Sequence, residues 1–290
     1  MFSTEYYCLV ASLREWTLDS DTKGFDVREI LDEIMGELTA KDRKAVELLY
    51  AYYDCENIIA LRNNRNRHNN LGRLTPEEVK DVLENRNYAL LPKNVAEVVK
   101  LYTEADDEEE CDEKVVLIDN FEHALFEAYY KDLSASKVRF LVKWGEFDRT
   151  LRNISAAVAA REAGRVISEV TVGGGEIVAQ LSQSSAADFG LRGELQYIDA
   201  VISAITDETN IVEKERKIDA VRWAEAEDIA ISDYFDINYI LSYLAKVNIV
   251  ARWTLLLPEV GREMLNKLIA SLDASAIVEK QAKQKNYINE

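Results

Sequence analysis

The chain has 290 residues, of which 48% are hydrophobic and 30% charged, a formal net charge of −18, and only 3 prolines and 11 glycines. That length can bury a substantial core in one large domain or two modest ones without metal or disulfide support. Scarce Pro and Gly favour long helices over a turn-rich β fold. The acidic balance argues against a general DNA or RNA binder, which needs Lys and Arg on the phosphates.

Residues 6–13 form an apolar run too short for either the strand or the helix period to win. Glu5 precedes the run and no basic segment does, so a secretory signal is not expected. Asp26 with Glu29 three residues on marks a helix start running to about Leu38. Thr39 then caps a long helix, KAVELLYAYYDCENIIALRNN over 44–64. Ala45, Leu48, Leu49, Tyr52, Cys55 and Ile59 follow one helical face. At about 100° per residue, Glu56 falls inside that apolar arc and Asp54 opposite it.

The next stretch, NNRNRHNNLGR, reads as a loop carrying Arg62, Arg65, Arg67 and Arg73, the one basic spot on an acidic chain. It is either a docking loop for an acidic partner or phosphate, or a solvated loop that balances nearby carboxylates. Thr75-Pro76-Glu77-Glu78 opens another helix with a cap, a proline at the first position and acids in the first turn. The run EADDEEECDE, 104–113, has eight acids in ten residues and reads as a solvated linker. It divides an N-terminal helical lobe, 1–103, from C-terminal helical lobes over 114–290. Helical periodicity resumes at Val115–Tyr130 and from Ser134 to about Val170. Gly173, Gly174 and Gly175 then read as a turn, because no Lys-Ser/Thr follows to complete a phosphate loop. Ser182–Gly193 reads as a loop, and helices run on to the end with Pro258 opening one of the last.

Two further segments repeat the features of the long helix. FDRTLRNISAAVAAREAG shares its aromatic-Asp entry (Tyr53-Asp54; Phe147-Asp148), an Asn-Ile pair (Asn57-Ile58; Asn153-Ile154) and a following arginine (Arg62; Arg161). FDINYILSYLAKVNIVARWTLL again opens on an aromatic-Asp pair, Phe235-Asp236. Helical wheels place Glu162 among Phe147, Leu151, Ile154 and Val158, and Lys246 with Tyr239, Val250 and Trp253. Charges on apolar faces demand partners, so Glu56 or Glu162 is expected to pair with Lys246, Arg161 or Arg165.

YDCENIIALRNN, NISAAVAAREAG and FDINYILSYLAKVNIVARW resemble segments of the C (or d) subunit of V-type and A-type rotary ATPases, a non-catalytic subunit built of repeated helical lobes. The opening YYCLVASL and the order of the later segments more closely resemble a family of bacterial proteins encoded beside V-type ATP synthase subunits. One departure is Val247-Asn248-Ile249, where the C subunit tends to follow its lysine closely with an acid. The resemblance implies an all-α fold of subunit-C-like lobes. It also implies a structural adaptor between the soluble rotor stalk and the membrane ring, cytoplasmic and peripheral to the membrane through those partners.

The residues themselves point to no enzyme chemistry and no cofactor. His68 and His123 lack the Glu-x-x-His spacing of di-iron helices, and no HExxH, Walker A, GxSxG or GxGxxG stretch occurs. Cys8, Cys55 and Cys111 have no metal or disulfide spacing, in keeping with a reducing cytoplasm. No run reaches the roughly 20 apolar residues of a membrane span. The alternative is a helical enzyme or small-molecule binder using a carboxylate metal site among Glu225, Glu227, Asp228, Asp233 and Asp236.

Overall fold

The computed structural model describes residues 4–18, 22–65, 67–107, 121–206 and 209–255. Within them lie α1 (Tyr7–Ser12), α2 (Val27–Glu37), α3 (Ala40–Arg62), α4 (Pro76–Glu84), α5 (Lys93–Asp107), α6 (Phe121–Ser134), α7 (Arg139–Glu162), α8 (Glu176–Gln183), α9 (Ile198–Thr206), α10 (Ile211–Ile229) and α11 (Ile237–Leu255). The protein is all-α, with no strand among the described residues. Local chemistry sets many of the starts. Asp26 accepts hydrogen bonds from the Arg28 and Glu29 amides, Thr39 from the Asp42 amide, and Thr75 with Glu78 forms a reciprocal capping box.

The ambiguous run near the N-terminus is helical, as α1. The first residues of the acidic stretch belong to α5, which runs to Asp107, while 108–113 and Pro258 lie outside the described residues. The helix expected to reach about Val170 instead stops at Glu162, because Gly164 takes a left-handed φ of 65° and the Arg165 amide bonds back to the Ala160 carbonyl. This Schellman closure satisfies the last carbonyls and turns the chain.

Two long helices organise the packing. α3 lies against α4, α6 and α11, and α7 lies against α6, α8, α9, α10 and α11. One contiguous apolar core runs through both, from Tyr6 to Val250. α6 and α7 approach closely because Gly145 sits under Leu133, where an added Cβ would lie 2.9 Å from Leu133 Cδ1. Between α3 and α6 is an aromatic cluster of Tyr52, Tyr53, Phe126, Tyr129 and Tyr130, with ring centroids 5.2 to 5.7 Å apart in successive pairs.

The N-terminal segment is tied to late helices. The Tyr6 amide donates to the Phe235 carbonyl at 2.6 Å, and Tyr6 Oη donates to Asp42 Oδ2 at 2.6 Å. Tyr243 Oη donates to the Arg14 carbonyl at 2.9 Å, and Tyr50 Oη donates to Asn248 Oδ1 at 2.8 Å. No helix among the described residues is long and apolar enough to cross a membrane.

Candidate partner-docking groove

The buried asparagine of each Asn-Ile pair is the element from which the groove is built. On α3, Asn57 Oδ1 accepts from the Asn69 amide at 2.6 Å, and its Nδ2 donates to the Asn69 carbonyl at 3.0 Å. On α7, Asn153 does the same for Val172, at 2.7 and 3.0 Å. One side-chain amide thus satisfies both backbone groups of a residue in the returning loop, with Asn57 3% and Asn153 1% exposed. Both helices also close alike. Arg65 N–H reaches Ala60 O and Arg165 N–H reaches Ala160 O, each 2.8 Å, around left-handed Asn64 and Gly164. Asn153 stands four residues farther from its closing alanine than Asn57 does, about one turn, so both asparagines keep the same face. The third asparagine, Asn248, is 6% exposed and accepts from Tyr50 on α3 rather than holding a loop.

Behind the first clamp sits Asp54. Its Oδ1 accepts from the Leu74 amide at 2.9 Å, while Oδ2 and Arg73 Nε face each other at 3.7 Å without a hydrogen bond. Burial pushes the Asp54 carboxyl above its ordinary range, against the opposing pull of the Leu74 amide and Arg73. Gly72 packs directly on this pair of side chains, where a Cβ would run into Asn57 Nδ2 and Asp54 Oδ1.

The Asn57 and Asp54 bonds fasten Asn69 and Leu74 to α3, beside a cavity of about 190 Å³. Its charged lining is Arg65, Arg67 and Arg152 with Glu56 and Glu122. Asn69 Nδ2 donates to Glu56 at 2.8 Å, and Arg152 reaches Glu122 at 3.3 Å while lying over Phe126 at 4.0 Å. Both carboxylates are therefore occupied. Arg65 and Arg67 are exposed and have no carboxylate partner among the described residues. Two exposed guanidiniums on one cavity suit an anionic group by charge.

The four arginines of the basic loop thus divide. Arg65 and Arg67 face the cavity, whereas Arg62 lies over Phe121 at 4.4 Å and Tyr102 at 5.7 Å. Arg73 turns inward to the Leu90 carbonyl, Glu47 and Asp54. These contacts set Arg73 apart from Arg65 and Arg67.

The expected buried charges are also placed differently. The buried acids of α3 are Asp42, at 4% exposed, and Asp54, at 1%, whereas Glu56 is half-buried. α3 is enclosed on most of its circumference, so no single apolar arc separates inside from outside. Glu162 is exposed, because it is the last residue of α7 and the Schellman closure carries it past the core. Lys246 is half-buried and pairs with Glu227 at 3.0 Å beside the Trp223 ring, joining α11 to α10. Arg161 donates to the Ser184 and Ala186 carbonyls and stacks on Phe189 at 3.8 Å, and Arg165 is exposed.

The principal buried ion network lies elsewhere. Asp219, 1% exposed, accepts from Arg222 Nη1 at 2.8 Å, Arg252 Nη1 at 3.0 Å and Trp253 Nε1 at 3.0 Å. Arg252 also meets Glu215, and Arg222 approaches Asp148, which accepts from Tyr130 Oη at 2.8 Å. The network ties α6, α7, α10 and α11 together. Its signal in the sequence was Asp219, Arg222, Ala226 and Ile229, an i, i+3, i+7, i+10 stripe with an ion pair at its head.

Among the described residues, no three His, Cys, Asp or Glu side chains converge to hold a metal. Glu227 is engaged by Trp223 and Lys246, Asp233 by Arg139, and Asp236 caps α11 through the Asn238 and Tyr239 amides.

A family model described as protein of unknown function (DUF2764) matches residues 3–276. The chain belongs to the DUF2764 family. The match spans both asparagine clamps, the arginine groove and the Asp219 network, so all of these lie within the DUF2764 segment. No match was found among curated proteins or among solved structures.

Proposed function

We propose that this DUF2764 protein is a non-catalytic adaptor of a V-type ATP synthase that links the soluble rotor stalk to the membrane ring. The observation that carries the reading is the duplicated unit on α3 and α7, a buried asparagine gripping the returning loop followed by the same helix closure. Such an internal repeat is what the resemblance to the rotary ATPase C subunit leads one to expect. In this reading the protein is cytoplasmic and meets the membrane only through its partners. The groove of Arg65 and Arg67 receives an acidic side of a partner subunit.

Co-purification of the full chain with separately tagged stalk and ring subunits tests this. Both should be retained, and reversing Arg65 and Arg67 to Glu should weaken retention of one of them by about tenfold, the scale of a lost interfacial charge contact. Retention of neither subunit would overturn the reading, as would robust ATP hydrolysis by the purified chain alone.

A further inference from the structure

The opposite end of α3 carries a surface of different character. Tyr6 joins the α10–α11 turn to the start of α3, through Phe235 O on one side and Asp42 on the other. Beside it three large apolar side chains stand in solvent: Tyr7 57%, Ile231 70% and Tyr234 67% exposed. Phe235 lies between the two tyrosines, its ring centroid 4.6 Å from that of Tyr7 and 6.5 Å from that of Tyr234. Under this shelf is a shallow cavity of about 230 Å³ lined by Glu5, Ser232, Asp233, Tyr234, Phe235 and Asp236.

The charges around the cavity are unequal. Arg139 neutralises Asp233, and among the described residues Asp236 is bonded by neutral donors, the Asn238 and Tyr239 amides and the Asn238 side chain. Glu5 is exposed. Partial desolvation, and then the nearby Asp236 charge, raise the Asp233 carboxyl against the opposing pull of Arg139. A cation entering here would meet carboxylates below and aromatic faces beside it. Exposed apolar side chains rimmed by charge are the composition of a protein-docking patch.

We propose that the shelf of Tyr7, Ile231, Tyr234 and Phe235 docks a basic segment of a partner protein, which sets a lysine or arginine between Glu5 and Asp236 and its aliphatic neighbours on Ile231 and Tyr234. A second copy of this chain is the wrong partner, because its net charge of −18 opposes approach to an acidic surface. Between Asp42 and Arg62 α3 spans about 30 Å, so the basic groove and the acidic shelf are separate sites at its two ends. The shelf stands on its own side chains, whether or not the chain serves a rotary ATPase.

A random dodecapeptide library displayed on phage, selected on the immobilised full chain, supplies the probes. Fluorescence-anisotropy titration of the synthetic winners then measures affinity for each variant. The winners should combine Lys or Arg with Leu, Ile or Phe, and bind about tenfold more weakly to Tyr234→Ala and to Glu5→Gln, as loss of a central contact implies. Glu77→Gln, which removes the same charge from the exposed first turn of α4, should leave binding unchanged. Thermal melts should match the parent for these exposed positions, with Ile231→Ser replacing any variant that fails that check. Failure to enrich basic–aliphatic peptides would overturn the proposal. Equal loss on Glu77→Gln would do so too, by reducing the binding to overall charge. So would a dimer of the chain that the shelf variants dissociate, since a second copy would then be the occupant.

Discussion

Raising the pH above 10 should unfold this protein through its tyrosines, within a narrow interval. Tyr50, Tyr129 and Tyr130 are buried and Tyr52 and Tyr53 half-buried around α3 and α6, and burial is the first cause that pushes each hydroxyl above its ordinary value. The neighbouring Asp148 carboxylate adds to the rise for all but Tyr50. A raised folded-state pKa means the native chain keeps protons that the unfolded chain has released. Stability from these groups is therefore complete below pH 10 and falls as pH climbs towards their folded values. Each costs about 1.4 kcal/mol per pH unit in that window, so the five together cost about 7 kcal/mol per unit. Against a total stability of roughly 5 to 15 kcal/mol, the midpoint falls between about pH 11 and pH 12. Tyr243, pushed up to about 12 chiefly by burial, adds to the same slope. Tyrosinate absorbance and far-ultraviolet circular dichroism, followed together through an alkaline titration, read the effect. The two signals should change in one cooperative step, steeper than any single ionisation, and Tyr53→Phe should make the step shallower. Smooth appearance of every tyrosinate near pH 10, with helical ellipticity unchanged, would show that the cluster is open to water and refute the reasoning.

Asn153→Ala should cost about 2 to 4 kcal/mol in urea unfolding, because it strands the buried Val172 amide and carbonyl, with faster hydrogen exchange at Val172 as the local sign. Gly72→Ala should lower Tm and loosen residues 69–74, since the new methyl displaces the Asn57 and Asp54 side chains, and two-dimensional NMR of the Asn69 and Leu74 amides would report it. Asp219→Ala should destabilise by about 3 kcal/mol or more, leaving Arg222, Arg252 and Trp253 without their shared acceptor. Replacing Asp219, Arg222 and Arg252 together by apolar residues of similar size should cost far less, and chemical denaturation of both variants separates the outcomes.

What was legible in the sequence was what local chemistry decides. Asp26, Thr39 and Thr75 announce their helices because a cap is built from residues within one turn of each other. The all-α fold follows from the same signals and from the helical period. The asparagine pairs were visible as a repeat, yet their grip on Asn69 and Val172 was not, because the sequence does not say which loop residue returns to meet them. Single-face wheels misplaced Asp54 and Glu56, since α3 is covered from several sides, and misplaced Glu162, since its helix ends there. Arg73 could not be told from Arg65 and Arg67 by spacing alone. The Leu90 carbonyl, Glu47 and Asp54, which draw it inward, are distant from it in sequence.

The bonds from the N-terminal segment to α11 have a consequence for how the chain is made. Tyr243 holds Arg14 across a separation of 229 residues. At translation rates of about 5 to 20 residues per second, the first helix waits roughly 10 to 50 seconds for the surface it packs on. During that wait Tyr6, Leu9 and Trp16, all buried in the finished protein, are exposed on the nascent chain. Slowing synthesis of α11 should therefore lengthen the time these three side chains spend without the surface that covers them.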